Sequence, residues 1–230
     1  MFYIVGTAIG NIKDTTLRAV QTLVSVDVIL AEDTRSFNRY YKNIQKLFCV
    51  KPARKQKIIS YYMEIELSRL PEALAYLNSD LDVALVSESG LPIISDPGSV
   101  LVKYLTSTNK AFTVIPGPTA FATAVVLSGL SFHDLLYMGY LPKKPAKRIQ
   151  RFKKLQAHAS SMHKLGVVFY ESPHRINKTL EIIDEVLPNA QLAICREMTK
   201  KFEDVVRGSA SELMNRVFKG EITVVMNLDA

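Results

Sequence analysis

One stretch limits what this chain can fold into more than any other: Asp82-Val83-Ala84-Leu85-Val86-Ser87-Glu88-Ser89-Gly90-Leu91-Pro92-Ile93-Ile94-Ser95-Asp96-Pro97-Gly98. Val83 to Val86 is a short, unbroken apolar run, which predicts a strand buried on both faces. Small, polar and turn-forming residues follow at once. Asp96-Pro97-Gly98 then reads as a helix start, with Asp96 as the N-cap acceptor and Pro97 in the first turn, where its missing N–H costs nothing. Val100, Leu101, Val102, Tyr104 and Leu105 continue at roughly helical spacing. A buried strand, a long loop and a helix place the loop at the carboxyl end of a parallel sheet, where open α/β folds bind ligands. A plain connection of this kind takes about 2–6 residues. This one carries two carboxylates, three serines, two glycines and two prolines.

The rest of the 230 residues extends the same alternation. Strands are predicted at Phe2–Val5, Val26–Ala31, Ile58–Tyr62, Val83–Val86, Phe112–Ile115, Val167–Tyr170, Leu192–Cys195 and Ile222–Met226. Helices are predicted at Thr16–Val24, Phe37–Leu47, Leu67–Leu77, Val100–Thr106, Ala120–Leu127, Ala146–Gln156, Ile176–Leu187 and Ser211–Phe218. Strands alternating with helices argue for α/β layers. Pro116-Gly117-Pro118 is the sharpest break near the middle, and divides the chain into an expected lobe at 1–115 and a second at 116–230.

Absences narrow the chemistry. The loop after the first strand, Gly6-Thr7-Ala8-Ile9-Gly10-Asn11, is not G-x-G-x-x-G, and no G-x-x-x-x-G-K-[ST] occurs, so ordinary dinucleotide and P-loop fingerprints are missing. His133, His158, His163 and His174 show no metal-ligand spacing, so no metal is expected. There is no Gly-x-Ser-x-Gly elbow. No apolar segment is long enough to span a membrane. Cys49 and Cys195 are far apart, which favours two free thiols in a reducing cytoplasm.

Charge gives a direction. Lys and Arg number 29 against 22 Asp and Glu, a net charge of +7. The excess concentrates in Lys42, Lys46, Lys51, Arg54, Lys55 and Lys57, and in Lys143, Lys144, Lys147, Arg148, Arg151, Lys153 and Lys154. Two such clusters suit a phosphate backbone. Polar groups also gather where predicted strands end: Glu32-Asp33-Thr34-Arg35, Tyr170-Glu171-Ser172-Pro173-His174-Arg175, and Arg196-Glu197 with Lys200 and Lys201. Together with the loop after Val86 they form an expected functional rim.

Gly10-Asn11, Ala31-Glu32-Asp33-Thr34-Arg35, Ser95-Asp96-Pro97-Gly98, Pro116-Gly117-Pro118, Gly139-Tyr140-Leu141-Pro142-Lys143-Lys144, Tyr170-Glu171-Ser172-Pro173-His174-Arg175 and Arg196-Glu197 with Thr199-Lys200 resemble the small-subunit ribosomal RNA ribose methyltransferase family of the tetrapyrrole-methylase superfamily. The likeness runs from Tyr3 to about Met226. It implies two α/β lobes of the class III methyltransferase type, with S-adenosyl-L-methionine in the cleft between them, in a cytoplasmic homodimer. It further implies methyl transfer to the 2′-hydroxyl of a cytidine in small-subunit ribosomal RNA. By this resemblance the cofactor is held by Thr7, Ala8, Gly10, Glu88, Ser89, Gly90, Pro92, Ile94, Thr119, Ala120, Tyr170 and Glu171. S-adenosyl-L-methionine carries a sulfonium and no phosphate, so the missing phosphate loop is consistent with it. A ribose hydroxyl must lose its proton to attack, and Glu32, Asp33, Glu171, Glu197 and Lys200 all remain candidates for the base. Arg35, His174 and Arg175, with the cluster at Lys143, Lys144, Lys147, Arg148 and Arg151, are expected to hold RNA. Where family members typically carry His-Glu-His-Asn this chain has Tyr62-Met63-Glu64-Ile65, and Glu88 replaces the usual aspartate of the cofactor loop. Those departures keep open a relative that methylates another substrate, or one that binds cofactor or RNA without transferring a methyl group.

Overall fold

The computed structural model describes residues 1–159 and 164–228, and the side chains of 158 and 159 lie outside it, as does His163. The chain forms two compact units that part at Thr119/Ala120, a few residues beyond the boundary expected at Pro116.

Unit 1 is a five-stranded parallel sheet, in the order β3-β2-β4-β1-β5, made by β1 (Phe2–Val5), β2 (Val28–Ala31), β3 (Lys57–Ser60), β4 (Val83–Val86) and β5 (Phe112–Ile115). Every pairing is parallel, with Val28 opposite Val83 and Phe2 opposite both Val83 and Phe112. Strands β2 and β4 are buried at every residue, as their uninterrupted apolar runs require. Alternate side chains serve opposite cores. Ala84 and Val86 pack with Leu23 of α1 (Leu17–Ser25) and with Phe37, Tyr41 and Ile44 of α2 (Thr34–Leu47). Val83 and Leu85 pack with Ala73 of α3 (Glu66–Asn78) and with Leu101 and Leu105 of α4 (Ser99–Ser107). Full burial of each such aliphatic side chain contributes about 1.5–3 kcal/mol. Because all five strands run the same way, the loops after them share one edge of the sheet. The loop expected to organise the chain leaves β4, the central strand.

Unit 2 is a mixed sheet in the order β6-β7-β10-β8-β9: β6 (Asp134–Tyr140), β7 (Leu165–Glu171), β8 (Gln191–Arg196), β9 (Asp204–Gly208) and β10 (Ile222–Leu228). Only β6 and β7 pair in parallel; β10 pairs antiparallel with β7 and β8, and β9 pairs antiparallel with β8. One face carries α6 (Pro145–Ala159), α7 (Ile176–Val186) and α8 (Ala210–Leu213), which enclose Phe152, Leu180, Ile183 and Leu213 with Phe169, Ile194 and Val224. Helix α5 (Ala120–Ser128) covers the other face, and there the buried Cys195 thiol points at the Ala124 carbonyl, 3.7 Å away. The expected helix at 211–218 is shorter: α8 stops at Leu213 after a capping box between Ser209 and Glu212. Strands β6 and β9 were not expected from the sequence.

Candidate functional site

The parallel edge of unit 1 brings together the loops after β1, β4 and β5. Gly6 N–H donates to the Ile115 carbonyl at 3.0 Å, and Thr7 N–H donates to the Gly90 carbonyl at 2.8 Å. The Thr7 hydroxyl reinforces the same acceptor at 3.3 Å. Gly6 and Gly117 touch back to back. A Cβ built on Gly6 would lie 2.7 Å from the Gly117 nitrogen, closer than any side chain tolerates, so this crossing needs glycine at both positions. Thr7, Ala8, Gly90 and Pro92 are buried in this crossing, whereas Gly10, Glu88 and Ser89 are exposed. Ile94, Thr119 and Ala120 are half-buried, Ala120 being the first residue of unit 2.

The β4 loop is strained. Ile93 and Ser95 have φ of 77° and 72°, and Gly98 has 121°. A β-branched residue in that region costs of order 1–3 kcal/mol and persists only where surrounding contacts impose it. The sequence reading that Asp96 caps the following helix is corrected here. Helix α4 starts at Ser99, its N-cap is Gly98, and no side chain of the loop caps it. Instead the buried Glu66, from the first turn of α3, accepts from Gly98 N–H at 3.0 Å and from Val100 N–H at 2.9 Å. Burial and this carboxylate push the neighbouring Tyr61 phenol well above its usual range.

Asp96 belongs to a different group. Burial, then the Glu32 carboxylate, raise its carboxyl to about 7, against a hydrogen bond from Ser87. Burial also raises Glu32; the N–H of Glu88 donates to it at 3.3 Å and draws it back, while the charge of Glu88 pushes it further up. A depression beside them is lined by Glu32, Ser36, Tyr40, Ser87 and Glu88. This edge is therefore a nest of carboxylates and small residues, suited to a cationic ligand rich in hydroxyl donors and unsuited to phosphate. The donor set fits S-adenosyl-L-methionine, whose sulfonium and ammonium are positive and whose ribose offers hydroxyls.

Asp33, adjacent to Glu32, is the N-cap of α2. It accepts from Arg35 N–H at 2.7 Å and Ser36 N–H at 3.0 Å, bonds that hold its pKa below normal. Arg35 extends into solvent, its side chain 91% exposed.

In unit 2 the polar strand ends are largely architectural, and several sequence assignments need correction. The Glu171 side chain is fully buried. It accepts from Ser172 N–H at 2.8 Å, Arg175 Nε at 2.7 Å and the Thr179 hydroxyl at 2.7 Å. Arg148, expected on the RNA surface, is 3% exposed and donates to the Thr179 hydroxyl at 2.6 Å, with Glu171 3.7 Å away. Arg175 is likewise turned inward, paired with Glu171 and reaching the Leu141 carbonyl. The conspicuous Tyr-Glu-Ser-Pro-His-Arg motif thus builds a buried ion network at the start of α7, and neither the Glu171 carboxylate nor the Arg148 guanidinium is open to a ligand. His174 is exposed, as are Lys143, Lys144, Lys147 and Arg151. Tyr170 is half-buried, its ring edge-on to Tyr137 and Tyr140.

Glu197 accepts from Glu221 N–H at 2.9 Å and from Lys200 at 3.2 Å; the first bond is the main cause of its lowered pKa. Burial would lower Lys200, but its pairing with Glu221 and Glu197 outweighs that and raises it. Lys200 is thereby held as a cation, which is the opposite of what a neutral-amine base needs.

Comparison with known proteins fixes the class. The chain belongs to the Tetrapyrrole (Corrin/Porphyrin) Methylases, whose family model matches residues 1–214. The fold agrees. The crystal structure of the methyltransferase CobJ superposes with a TM-score of 0.70 at 18% identity, covering 98% of this chain and 92% of that one. Uroporphyrin-III-C-methyltransferase from Thermus thermophilus gives 0.61 at 18% identity, covering 97% and 93%. Within that class, the chain is a methyltransferase of the ribosomal RNA small subunit methyltransferase I family. It is 37% identical to the Thermotoga maritima member, covering 97% of this chain and 96% of the relative. It is 36% identical to the Hydrogenobaculum member over 98% and 94%, and 36% identical to the Bacillus subtilis member over 93% and 69%.

Glu66 is the site residue that sequence reasoning missed. The signal was a carboxylate one residue beyond Tyr62-Met63-Glu64-Ile65, opening a helix that has no capping side chain of its own.

Proposed function

We propose that the protein transfers the methyl group of S-adenosyl-L-methionine to the 2′-hydroxyl of a cytidine ribose in small-subunit ribosomal RNA, working as a homodimer in the cytoplasm. The observation that carries this reading is identity of 36–37%, over nearly their whole length, to relatives named ribosomal RNA small subunit methyltransferase I. The carboxylate edge of unit 1 supports the cofactor. Thr7, Gly90 and the backbone around them would hold it, with Glu32, Glu88 and Asp96 facing its positive groups. When bound, the cofactor supplies a methyl group activated by the sulfonium.

The chain must then orient the ribose oxygen in line with that methyl group and take its proton. Positioning alone accounts for much of the acceleration in such displacements. Of the five base candidates, Glu171 is buried and ion-paired, Lys200 is held protonated, Asp33 is bound to two backbone amides, and Glu197 is lowered by its own contacts. Glu32 is the carboxylate whose surroundings raise its pKa toward the working range of a general base, and we assign the role to it.

The test is calorimetric titration with S-adenosyl-L-methionine, followed by mapping of ribose methylation after incubation with purified small subunits from a strain lacking the gene. One cofactor per chain and one new 2′-O-methylcytidine are expected. Cofactor binding with methyl transfer to a small molecule or a protein, and none to the subunit, would overturn the substrate.

A further inference from the structure

Helix α2 carries a row of cations that the linear charge clusters conceal. Arg35, Arg39, Lys42 and Lys46 follow one another at spacings of four, three and four residues, so they line a single face, and all four are exposed. The opposite face is the buried one, with Phe37, Tyr41 and Ile44 in the core. The helix contains no acidic residue between Thr34 and Leu47. Like charges at these spacings weaken a helix, and Arg35 also stands in the first turn, where the macrodipole disfavours a cation.

Elsewhere in unit 1 some exposed cations are matched, Arg54 with Asp27 and Lys57 and Arg69 with Glu72, and the others, Lys13, Arg18, Lys51, Lys55 and Lys103, are scattered over separate elements and loops rather than lined up on one face. Among the described residues, Arg39, Lys42 and Lys46 have no such partner. A merely solvated face would be expected to carry both signs. This face keeps one sign at some cost to its own helix.

The row spans about 16 Å at 1.5 Å per residue. That is the axial length of about five nucleotides of one strand at 3.4 Å each. Its first member follows Asp33 and Glu32, so the row leads directly to the carboxylate edge. We propose that this face of α2 is a track for the phosphate backbone of the RNA substrate, which delivers the strand to that edge. The inference rests on the ribosomal RNA reading above. RNA is favoured over an anionic membrane because the exposed face alternates cations with Asn38 and Asn43, and the helix's aromatic side chains are turned into the core rather than available to insert.

The test is Arg39→Gln/Lys42→Gln/Lys46→Gln against a control, Lys13→Gln/Lys103→Gln/Lys219→Gln, which removes the same charge from scattered exposed positions. Fluorescence anisotropy with a labelled single-stranded 15-mer oligoribonucleotide across a salt series reads affinity, and methylation of purified small subunits reads KM. The α2 variant is expected to lose at least about tenfold in RNA affinity and to flatten the log–log salt slope by about 2, at about 0.7 per phosphate contact. Its cofactor affinity should match the parent, and its melting temperature should be no lower than the parent's. Equal losses in the control, or parental affinity and KM in the α2 variant, would overturn the track. So would parental RNA binding together with lost binding to phosphatidylglycerol vesicles. A parent protein that methylates no small-subunit RNA, yet loses oligoribonucleotide affinity on the α2 substitutions, would overturn the substrate reading while supporting the track.

Discussion

Glu32 stands at the end of β2 and Glu171 at the end of β7, each closing an apolar strand with a carboxylate, and their surroundings part from there. Around Glu171 the fold supplies Arg175, Thr179, Arg148 and a backbone amide, so its charge is compensated within unit 2. Around Glu32 it supplies Glu88, Glu64 and Asp33, so its charge is crowded by others of the same sign. One arrangement stabilises a turn. The other holds carboxylates ready for an external cation or proton. The same residue type at the same topological place is thus architectural in one unit and, in the function proposed above, chemical in the other, and what distinguishes them is where the neighbouring cations point.

This contrast can be broken most forcefully at Glu171. Replacement by Ala strands Arg148 in the core, and a loss of about 3–5 kcal/mol in stability is expected from denaturant unfolding. Adding Arg148→Met should restore part of it; no restoration would mean the network is not what the ion pair stabilises. At Glu32 the opposite signature is expected: Glu32→Gln lowers methyl transfer about 10²–10⁴-fold, while stability moves by no more than about 0.5 kcal/mol. A variant with parental turnover would remove Glu32 as the base. Glu66→Ala should lower stability by about 1–2 kcal/mol and weaken cofactor binding together, since the cap and the loop are one structure; intact affinity in calorimetry would separate them.

A further test of the carboxylate edge is the pH dependence at Asp96. In the fold its pKa is raised from 3.8 to about 7 by burial, then Glu32, with Glu88 adding and Ser87 opposing. The native protein therefore keeps a proton that the unfolded chain gives up. The stabilising contribution is whole below pH 3.8 and is lost as pH rises through about 7. Asp96→Asn should flatten the fall in melting temperature across that window, and an unchanged profile would assign the fall to other groups.

The centre of the sheet in unit 1 was readable because β1, β2 and β4 are continuous apolar runs of the kind a doubly covered parallel sheet needs. Strands β6 and β9 were not, although the edge strands β3 and β5 of unit 1 were. In β6 the apolar run Leu135–Met138 sits between Asp134 and Gly139 with Asp134, Leu135, Leu136 and Tyr140 exposed, and β9 offers only Val205-Val206 between Asp204 and Arg207, too short a run to mark a strand. At the site, the carboxylate edge was visible as residues following strands. The inward turn of Arg148 was hidden in a basic run, since its acceptors Glu171 and Thr179 lie on β7 and α7. Asp96 looked like a cap because Asp-Pro-Gly is a good local start signal, and the actual cap comes from another helix.

That borrowed cap ties the β4 loop to a helix 32 residues upstream of it. The amides of Gly98 and Val100 are shielded by a side chain, not by a ladder of main-chain carbonyls. Their hydrogen exchange should consequently follow the undocking of α3 rather than the opening of the sheet. The native shape of the loop after β4 thus depends on α3 being docked on the same face as α4.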